Sequence, residues 1–445
     1  MLNIRNNRRL GGVLCLIFVL VLSMLNSWQS VCAQTAVRKS SGKAKASNVQ
    51  KSAEKIKTSG VGKSPGKVKA SDRVETYKFV YDPSGKGGME SGVVLVRNAE
   101  NLLYRGYSYA ADAIGLHDHW YSRPLSAPIL LIALPSPNYY VHEYIGHGSV
   151  IRDLGYRDIR YRYNWSTLNE SAANYARSDL MDAQGTNEEK ILSFAGGLSS
   201  SQLYLLDAEK EMYRTNKATL IFAKAVQIAA SDLGYLATSL KPNHLGDGSA
   251  WTETFELMHN NDAVLAATYA KKAKTAVERA DMMNPALYWT AVMFLHYFWT
   301  GDDSLYAPML PVAGLKFAFS PKVNLTPLGA ENYYYFFVNR NNKLLSLYYR
   351  TGEAPEGNIT GYGVEFGPIN IAGVALTPGY DTWSLPSVAY LKYSKSGYNA
   401  QLKLDVPLYR SLGLTGKAAY KTKGYILGLP LGDGPYGYAG ATLTF

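Results

Sequence analysis

The stretch Ser136-Pro-Asn-Tyr-Tyr-Val-His-Glu-Tyr-Ile-Gly-His-Gly-Ser-Val-Ile-Arg-Asp-Leu-Gly155 predicts a helix with a marked start and a marked end. Ser136 is a suitable N-cap, and Pro137 fits the first helical position, where its missing N–H costs nothing. Gly155 can adopt the left-handed conformation that often ends a helix. The sequence therefore predicts one helix of roughly 18 residues, around which the rest of the chain is organised.

This helix carries the residues of a metal-dependent hydrolase, in an unusual spacing. His142 and His147 offer imidazoles to a metal ion, and Glu143 offers a carboxylate that can take a proton from bound water. The histidines are five residues apart, which places them about 140° apart on a regular α-helix. Both can bind one ion only if the helix contains an extra residue, as in a π-bulge, and Gly146 lowers the cost of that distortion. The spacing therefore predicts a bulge near Ile145–Gly146.

Two families of zinc peptidases resemble this motif. His142-Glu-Tyr-Ile-Gly-His147 resembles the H-E-L-L-G-H helix of the dipeptidyl peptidase III family, which uses the five-residue spacing. With Arg152 and Gly155 included, the string resembles the site-2 protease signature H-E-x-G-H followed by Arg and Gly, with one residue inserted. The first resemblance implies a zinc-bound water with Glu143 as general base. The second implies the same chemistry inside a membrane, and the chain lacks the helices for that arrangement.

The third metal ligand is expected from a carboxylate on another element. Thr186 and Glu189 form a capping box that opens the next helix, which is a sufficient structural role for both. Resemblance to zinc peptidases with a glutamate ligand implies Glu189, or Glu188 beside it, as the third ligand. His244 and Asp247 are reserve candidates, because their loop is similar to the aspartate-bearing motif of site-2 proteases.

The charge of the chain is concentrated in its first part. Residues 1–70 contain 13 Lys and Arg and one acidic residue, and the other 375 residues contain 33 basic and 34 acidic ones, so the net charge of +11 does not predict nucleic-acid binding by the folded part. Residues 1–33 have the basic, apolar and small-residue regions of a secretory signal peptide. Both cysteines, Cys15 and Cys32, lie within it. Residues 34–72 are rich in Lys, Ser, Ala and Gly and are expected to be a disordered basic linker.

The remaining chain changes its hydrophobic period once. Val74 to Asp82 alternates like a strand, and helical periodicity follows up to about residue 305, with Gly196-Gly197 allowing close packing against the histidine helix. From about Leu310 the period is two, most clearly in Tyr398 to Val406. The alternation ends in Phe445, which resembles the last-strand signal of bacterial outer-membrane barrels.

These patterns predict an α+β protein: a mainly helical, zincin-like domain at 73–305, followed by an antiparallel β-barrel of roughly ten strands at 306–445. The expected function is zinc-dependent hydrolysis of a peptide or protein substrate, by an exported protein whose barrel contacts outer-membrane lipid. His142, His147 and Glu189 are expected to hold Zn²⁺, and Glu143 to activate water. The alternative is a non-enzymatic outer-membrane barrel whose helical part plugs the pore or binds a partner. Neither the substrate nor the oligomeric state follows from the sequence.

Overall fold

A computed structural model describes residues 76–82, 88–116, 120–123, 140–156, 159–161, 176–177, 185–241 and 246–444. The predicted signal peptide and linker, the predicted helix start at Ser136, His244 and Phe445 lie outside the described residues. The described residues belong to one compact unit, Lys69–Phe445.

Seven α-helices and one π-helix are described. They are α1 (Gly88–Ala113), the π-helix (Tyr140–His147), α2 (Gly148–Asp153), α3 (Asn187–Thr215), α4 (Leu220–Ser239), α5 (Asp247–Met258), α6 (Ala263–Met282) and α7 (Pro285–Thr300). The predicted capping box opens α3: the Thr186 side chain accepts a hydrogen bond from the Glu189 N–H, and the Glu189 carboxylate accepts one from the Thr186 N–H. Asn260 and Asn261, which both have left-handed backbone conformations, separate α5 from α6.

Fifteen strands are described, eleven of them in one antiparallel sheet. The sheet contains β1 (Thr76–Tyr81), β6 (Leu310–Val312), β7 (Leu315–Thr326), β8 (Gly329–Arg340), β9 (Lys343–Ala354), β10 (Gly357–Gly367), β11 (Ile369–Ile371), β12 (Val374–Ser384), β13 (Gly397–Tyr409), β14 (Leu412–Lys421) and β15 (Gly434–Thr444). The others form two small pairs, β2 (Arg160–Tyr161) with β3 (Ala176–Arg177), and β4 (Lys217–Thr219) with β5 (Ser304–Tyr306). The main strand order is β1-β15-β14-β13-β12-β10-β9-β8-β7-β6, with β11 paired to β12.

The predicted closed barrel is wrong for the described residues, because the two edge strands do not pair with each other. At the β1 edge, the backbone N–H of Lys78 donates a 2.9 Å hydrogen bond to the Asn98 side chain of α1. At the other edge, β6 pairs with only the first three residues of β7, and the rest of β7 lies against α3 and α6. The sheet is therefore open, with α1 in contact with its β1 edge.

The helices and the sheet share their core. The largest hydrophobic cluster joins Val141 and Ile145 of the π-helix to Tyr204 of α3 and to Tyr333 and Phe337 of β8. The predicted strand near the start of the folded region is confirmed, but it pairs with β15 in the main sheet. The described helical and strand regions therefore pack together as one body.

The two faces of the sheet differ in polarity: the outward face is largely apolar, and the inward face carries charged groups. On β13, Tyr398, Ala400, Leu402, Leu404 and Val406 alternate with polar residues, as predicted, and the apolar set faces away from the helices. The inward face carries charged groups that form ion pairs with α1 and α3. Lys322 contacts Glu209 at 2.8 Å with both side chains 0% exposed, and Glu365 contacts Lys210 at 2.9 Å. Such pairs remain buried because each charge has a partner of opposite sign.

One described helix is long and apolar enough to cross a membrane by length and composition. This helix is α4, and 67% of its most apolar window is buried inside the protein. Its burial is that of a core helix.

Candidate metal centre

The helix that carries the histidines has the distortion that their spacing predicted. Tyr140–His147 forms a π-helix, in which hydrogen bonds join residues five apart, and the chain continues as the α-helix α2. Residues five apart in such a segment lie on the same face, so His142 and His147 converge. Their ring centroids are 4.9 Å apart, with an angle of 78° between the ring planes.

Glycines allow this helix to approach α3 closely, as the sequence predicted. A Cβ atom on Gly146 would lie 2.6 Å from the Gly197 Cα, and one on Gly197 would lie 2.5 Å from Nε2 of His142. The Ser200 hydroxyl of α3 donates a 2.6 Å hydrogen bond to the Val141 carbonyl of the π-helix. The His142 ring therefore packs directly against the backbone of α3 at Gly197.

Both imidazoles direct Nε2 toward Asp247, the first residue of α5. Oδ2 of Asp247 is 3.0 Å from Nε2 of His142 and 3.4 Å from Nε2 of His147. His142, His147 and Asp247 each offer one ligand atom, and the three atoms lie within 4.8 Å of one another. This group could hold a metal ion, and within the described ranges it is the one group of three or more such side chains with this property.

The Nδ1 atoms of both histidines are held by other groups. Nδ1 of His142 is 2.9 Å from Oδ2 of Asp232 on α4, and the Ser201 hydroxyl donates a hydrogen bond to the same oxygen. Nδ1 of His147 donates a 2.6 Å hydrogen bond to the carbonyl of Ser193 on α3. Because Nδ1 carries the proton in such contacts, Nε2 of each neutral ring presents its lone pair toward Asp247.

The electrostatics of the site favour a bound cation. Burial by itself lowers the pKa of His142, but the carboxylates of Asp232 and Asp247 outweigh it and raise that pKa well above its usual value. Burial also opposes the charged form of His147, and Asp247 and Glu143 raise its pKa. The pKa of Asp247 is lowered despite its burial, because it faces the two histidines. The cluster is thus arranged around positive charge, which protons or a metal ion can supply.

Glu143 lies beside the group without belonging to it. Its side chain is half-buried, and its charge acts on both His147 and Tyr235. Tyr235 of α4 also lies at the rim, where its hydroxyl accepts a 3.0 Å hydrogen bond from the Asp247 N–H. Glu143 is therefore close enough to influence the site electrostatically.

The structure does not bring Glu189, the predicted third ligand, to the histidines. Its carboxylate closes the capping box with Thr186 and contacts the Tyr156 hydroxyl at 3.4 Å. Glu188 is also engaged elsewhere: it accepts hydrogen bonds from the backbone N–H groups of Lys392 and Tyr393. Glu189 stabilises the start of α3 by accepting a hydrogen bond from a free backbone donor there, and Glu188 attaches that start to the loop between β12 and β13.

Asp247, a reserve candidate in the sequence, occupies the place expected for Glu189. Its loop was recognisable from similarity to the site-2 protease motif, while His244 of the same loop lies outside the described residues. Sequence reasoning missed Asp232 and the Ser193 carbonyl. The available signal for Asp232 was an acidic residue in the otherwise apolar helix α4, and a backbone carbonyl leaves no signal in the sequence.

Comparison of the chain with protein-family models, curated proteins and solved structures finds no match.

Proposed function

We propose that the chain is an exported zinc-dependent hydrolase of peptide bonds, in which His142, His147 and Asp247 hold the ion. The observation that carries the proposal is the convergence of two Nε2 atoms on one carboxylate oxygen, with both Nδ1 atoms fixed. Three protein ligands with one open position are typical of catalytic zinc sites, whereas structural sites have four. Asp232 and the Ser193 carbonyl contact the Nδ1 atoms of the histidines, as do the groups that orient ligating histidines in known metal sites.

Zinc suits this donor set better than the common alternatives. Imidazole nitrogens favour zinc, copper, iron or nickel, whereas calcium and magnesium prefer sites built from oxygen atoms. A zinc ion in the site would polarise a substrate carbonyl and lower the pKa of bound water.

Glu143 is the residue that we assign to proton transfer. In the proposed reaction the water oxygen attacks the peptide carbonyl carbon while its proton moves to the Glu143 carboxylate. Glu143 then passes this proton to the amide nitrogen as the C–N bond breaks, so that an acid and an amine leave. His142, His147 and Asp247 hold the ion, and Asp232 and the Ser193 carbonyl orient the two histidines.

The experiment uses purified mature protein with metal analysis and a casein cleavage assay. We expect about one zinc per chain. Glu143→Gln should retain the zinc and lose turnover by about 10²- to 10⁴-fold, since only the proton acceptor changes. Glu189→Gln is the matched control and should retain both zinc and turnover. A wild-type protein without zinc, or a Glu143→Gln variant with full turnover, would contradict the proposal.

The outward face of the sheet supports a location in the outer membrane as part of the same proposal. Six outward tyrosines lie within two residues of a common level across neighbouring strands β8, β9, β10, β12, β13 and β14. We call this set the tyrosine row: Tyr334, Tyr349, Tyr362, Tyr380, Tyr398 and Tyr420. On β13, every outward residue from Tyr398 to Val406 is apolar, over about 26 Å of strand. An apolar band of about that height, bordered by aromatic residues, is typical of sheets that face lipid.

Charge placed at different depths on this face tests the lipid contact. Leu402→Lys puts a charge near the middle of the apolar band, where the cost is about 2–4 kcal/mol, whereas Tyr362→Lys puts it in the tyrosine row, where it is about 0–1 kcal/mol. We expect Leu402→Lys to reduce the amount of protein in the outer-membrane fraction much more than Tyr362→Lys. Recovery of the wild-type protein without detergent would contradict the location.

The alternative function, a non-enzymatic membrane protein with a helical plug, has one observation in its favour. Helix α3 contacts the inward face of the sheet and forms ion pairs with it through Glu209 and Lys210. The metal analysis separates the two functions, because a plug requires no zinc and should tolerate His147→Ala without loss of its binding or pore properties.

A further inference from the structure

The two longest of the hairpin connections in the sheet lie at the same end. At this end, 12 residues (385–396) connect β12 to β13 and another 12 (422–433) connect β14 to β15, while two residues each connect β7 to β8 (327–328) and β9 to β10 (355–356). We call this end the loop end. At the opposite end, two residues (341–342) connect β8 to β9 and two (410–411) connect β13 to β14. We call this the turn end.

Helix α3 runs from the loop end to the turn end. Near its start, Glu188 accepts hydrogen bonds from the backbone of Lys392 and Tyr393, in the loop between β12 and β13. At its other terminus, the carbonyls of Tyr213 and Arg214 accept hydrogen bonds from Asn339, at the turn end of β8. A group that contacts the first part of α3 therefore lies toward the loop end, and one that contacts its last part lies toward the turn end.

The candidate metal centre lies toward the loop end. Its contacts with α3 are made by Ser193, Gly197 and, through Asp232, Ser201, all in the first half of the helix. Helix α5, which starts at Asp247, is anchored at the same end, because the Trp251 indole donates a hydrogen bond to the carbonyl of Thr326, the last residue of β7. The tyrosine row lies one residue from this end on β13 and β14 and crosses β8, β9 and β10 near their middles.

Strand β1 also runs from the turn end toward the loop end. Thr76 pairs with Thr444 at the turn end, and Tyr81 pairs with Ala439 toward the loop end. The residues before Thr76 therefore enter the sheet at the turn end, and the chain leaves β1 toward the loop end before it forms the helices. Short turns characterise the periplasmic side of outer-membrane sheets, whereas longer connections face outward.

We infer that the metal centre faces the outside of the outer membrane, so that its substrates are polypeptides at or beyond the cell surface rather than in the periplasm. The inference rests on the proposed function, and specifically on the contact of the sheet with lipid. It adds the side of the membrane from which a substrate reaches Glu143 and the three ligands.

Cysteine labelling of the full chain in intact Gram-negative cells tests this inference. Lys395→Cys introduces an exposed thiol in the loop between β12 and β13, and Lys343→Cys introduces one at the turn end, at the start of β9. The two variants make the same chemical change, and the unsubstituted chain reports background labelling. The probe is a membrane-impermeant maleimide, applied before and after permeabilisation of the outer membrane.

We expect the cysteine at position 395 to be labelled in intact cells, and the one at position 343 to gain at least tenfold in labelling only after permeabilisation. Labelling of position 343 but not 395 in intact cells would overturn the inference while leaving the membrane location standing. Equal labelling of both in intact cells would also overturn it. If both require permeabilisation and the protein is extracted without detergent, the membrane location itself fails, which is a distinguishable result.

Discussion

Replacement of Gly197 with alanine should remove the metal ion while leaving the fold in place. The added methyl group would lie 2.5 Å from Cε1 and Nε2 of His142, and 2.8 Å from Cδ2. All three are atoms of the imidazole ring that we assign to the metal. Because the methyl group belongs to the backbone of α3, the ring must move rather than the helix.

The size of the effect follows from the overlap. Ordinary contact begins at 3.4 Å, so the ring must shift by about 0.9 Å. A metal–nitrogen bond of about 2.0–2.1 Å tolerates changes of about 0.2 Å. Disturbances of ligand orientation usually reduce metal affinity by about 10- to 100-fold, and we expect at least the upper value, about 2.7 kcal/mol. The cost to folding is smaller, because overpacking of about 1–3 kcal/mol is partly offset by about 1 kcal/mol from the better helix propensity of alanine.

Competition with a fluorescent zinc chelator measures the affinity, and thermal unfolding of the metal-free protein measures the fold. Gly234→Ala is the matched control: it lies on α4 beside Tyr235, and a Cβ atom there meets nothing within 4 Å. This variant should bind zinc normally and unfold at the same or a higher temperature. Normal zinc affinity in Gly197→Ala would refute the assignment of His142 as a ligand in this geometry.

Three further outcomes are expected. Asp247→Asn should lose zinc affinity by at least tenfold in the same competition assay, whereas Asp262→Asn, at the N-cap of α6, should not, because asparagine caps as well as aspartate. Asp232→Asn should weaken zinc binding by about 10- to 100-fold without removing a ligand, and unchanged affinity would exclude its role in orienting His142. Burial raises the pKa of Glu100 on α1 from 4.5 to about 7, although Lys224 opposes this, so the folded state keeps a proton that the unfolded state releases between these values. Stability should therefore fall as the pH rises through this window, by up to about 3 kcal/mol, and urea unfolding at about pH 5 and about pH 8 should show this fall in the wild type but not in Glu100→Gln.

The local features of the fold were predictable where residue spacing, glycine positions or alternation determine the backbone geometry. Five-residue spacing required a non-α turn, and Tyr140–His147 forms one. Gly196-Gly197 predicted close packing, and a Cβ atom on either residue would lie within 3 Å of the histidine helix. The alternation from Tyr398 to Val406 predicted a strand with one apolar face, and β13 is such a strand.

The long-range features were less predictable because two side chains of the same type offered the same chemistry. Glu189 and Asp247 both supply a carboxylate, and only the path of the chain between α4 and α5 decides that Asp247 reaches the histidines. Closure of the sheet was equally undetermined, since a strand pattern does not reveal whether a helix or another strand covers its edge. Asn98 of α1 occupies that position at β1.

The pairing of β1 with β15 has a consequence for the order in which the protein folds. Thr76 and Thr444 are joined across 368 residues of sequence, whereas most other pairs in the sheet are neighbours in the chain. Contacts of such separation form late, because the entropy of closing the intervening chain must be overcome first. The hairpins from β6 to β15 can assemble by local steps, but β1 must wait as an unpaired strand beside α1 until β15 is present. During this interval its hydrogen-bonding edge is available to other chains, so correct folding of the protein depends on protection of a six-residue strand.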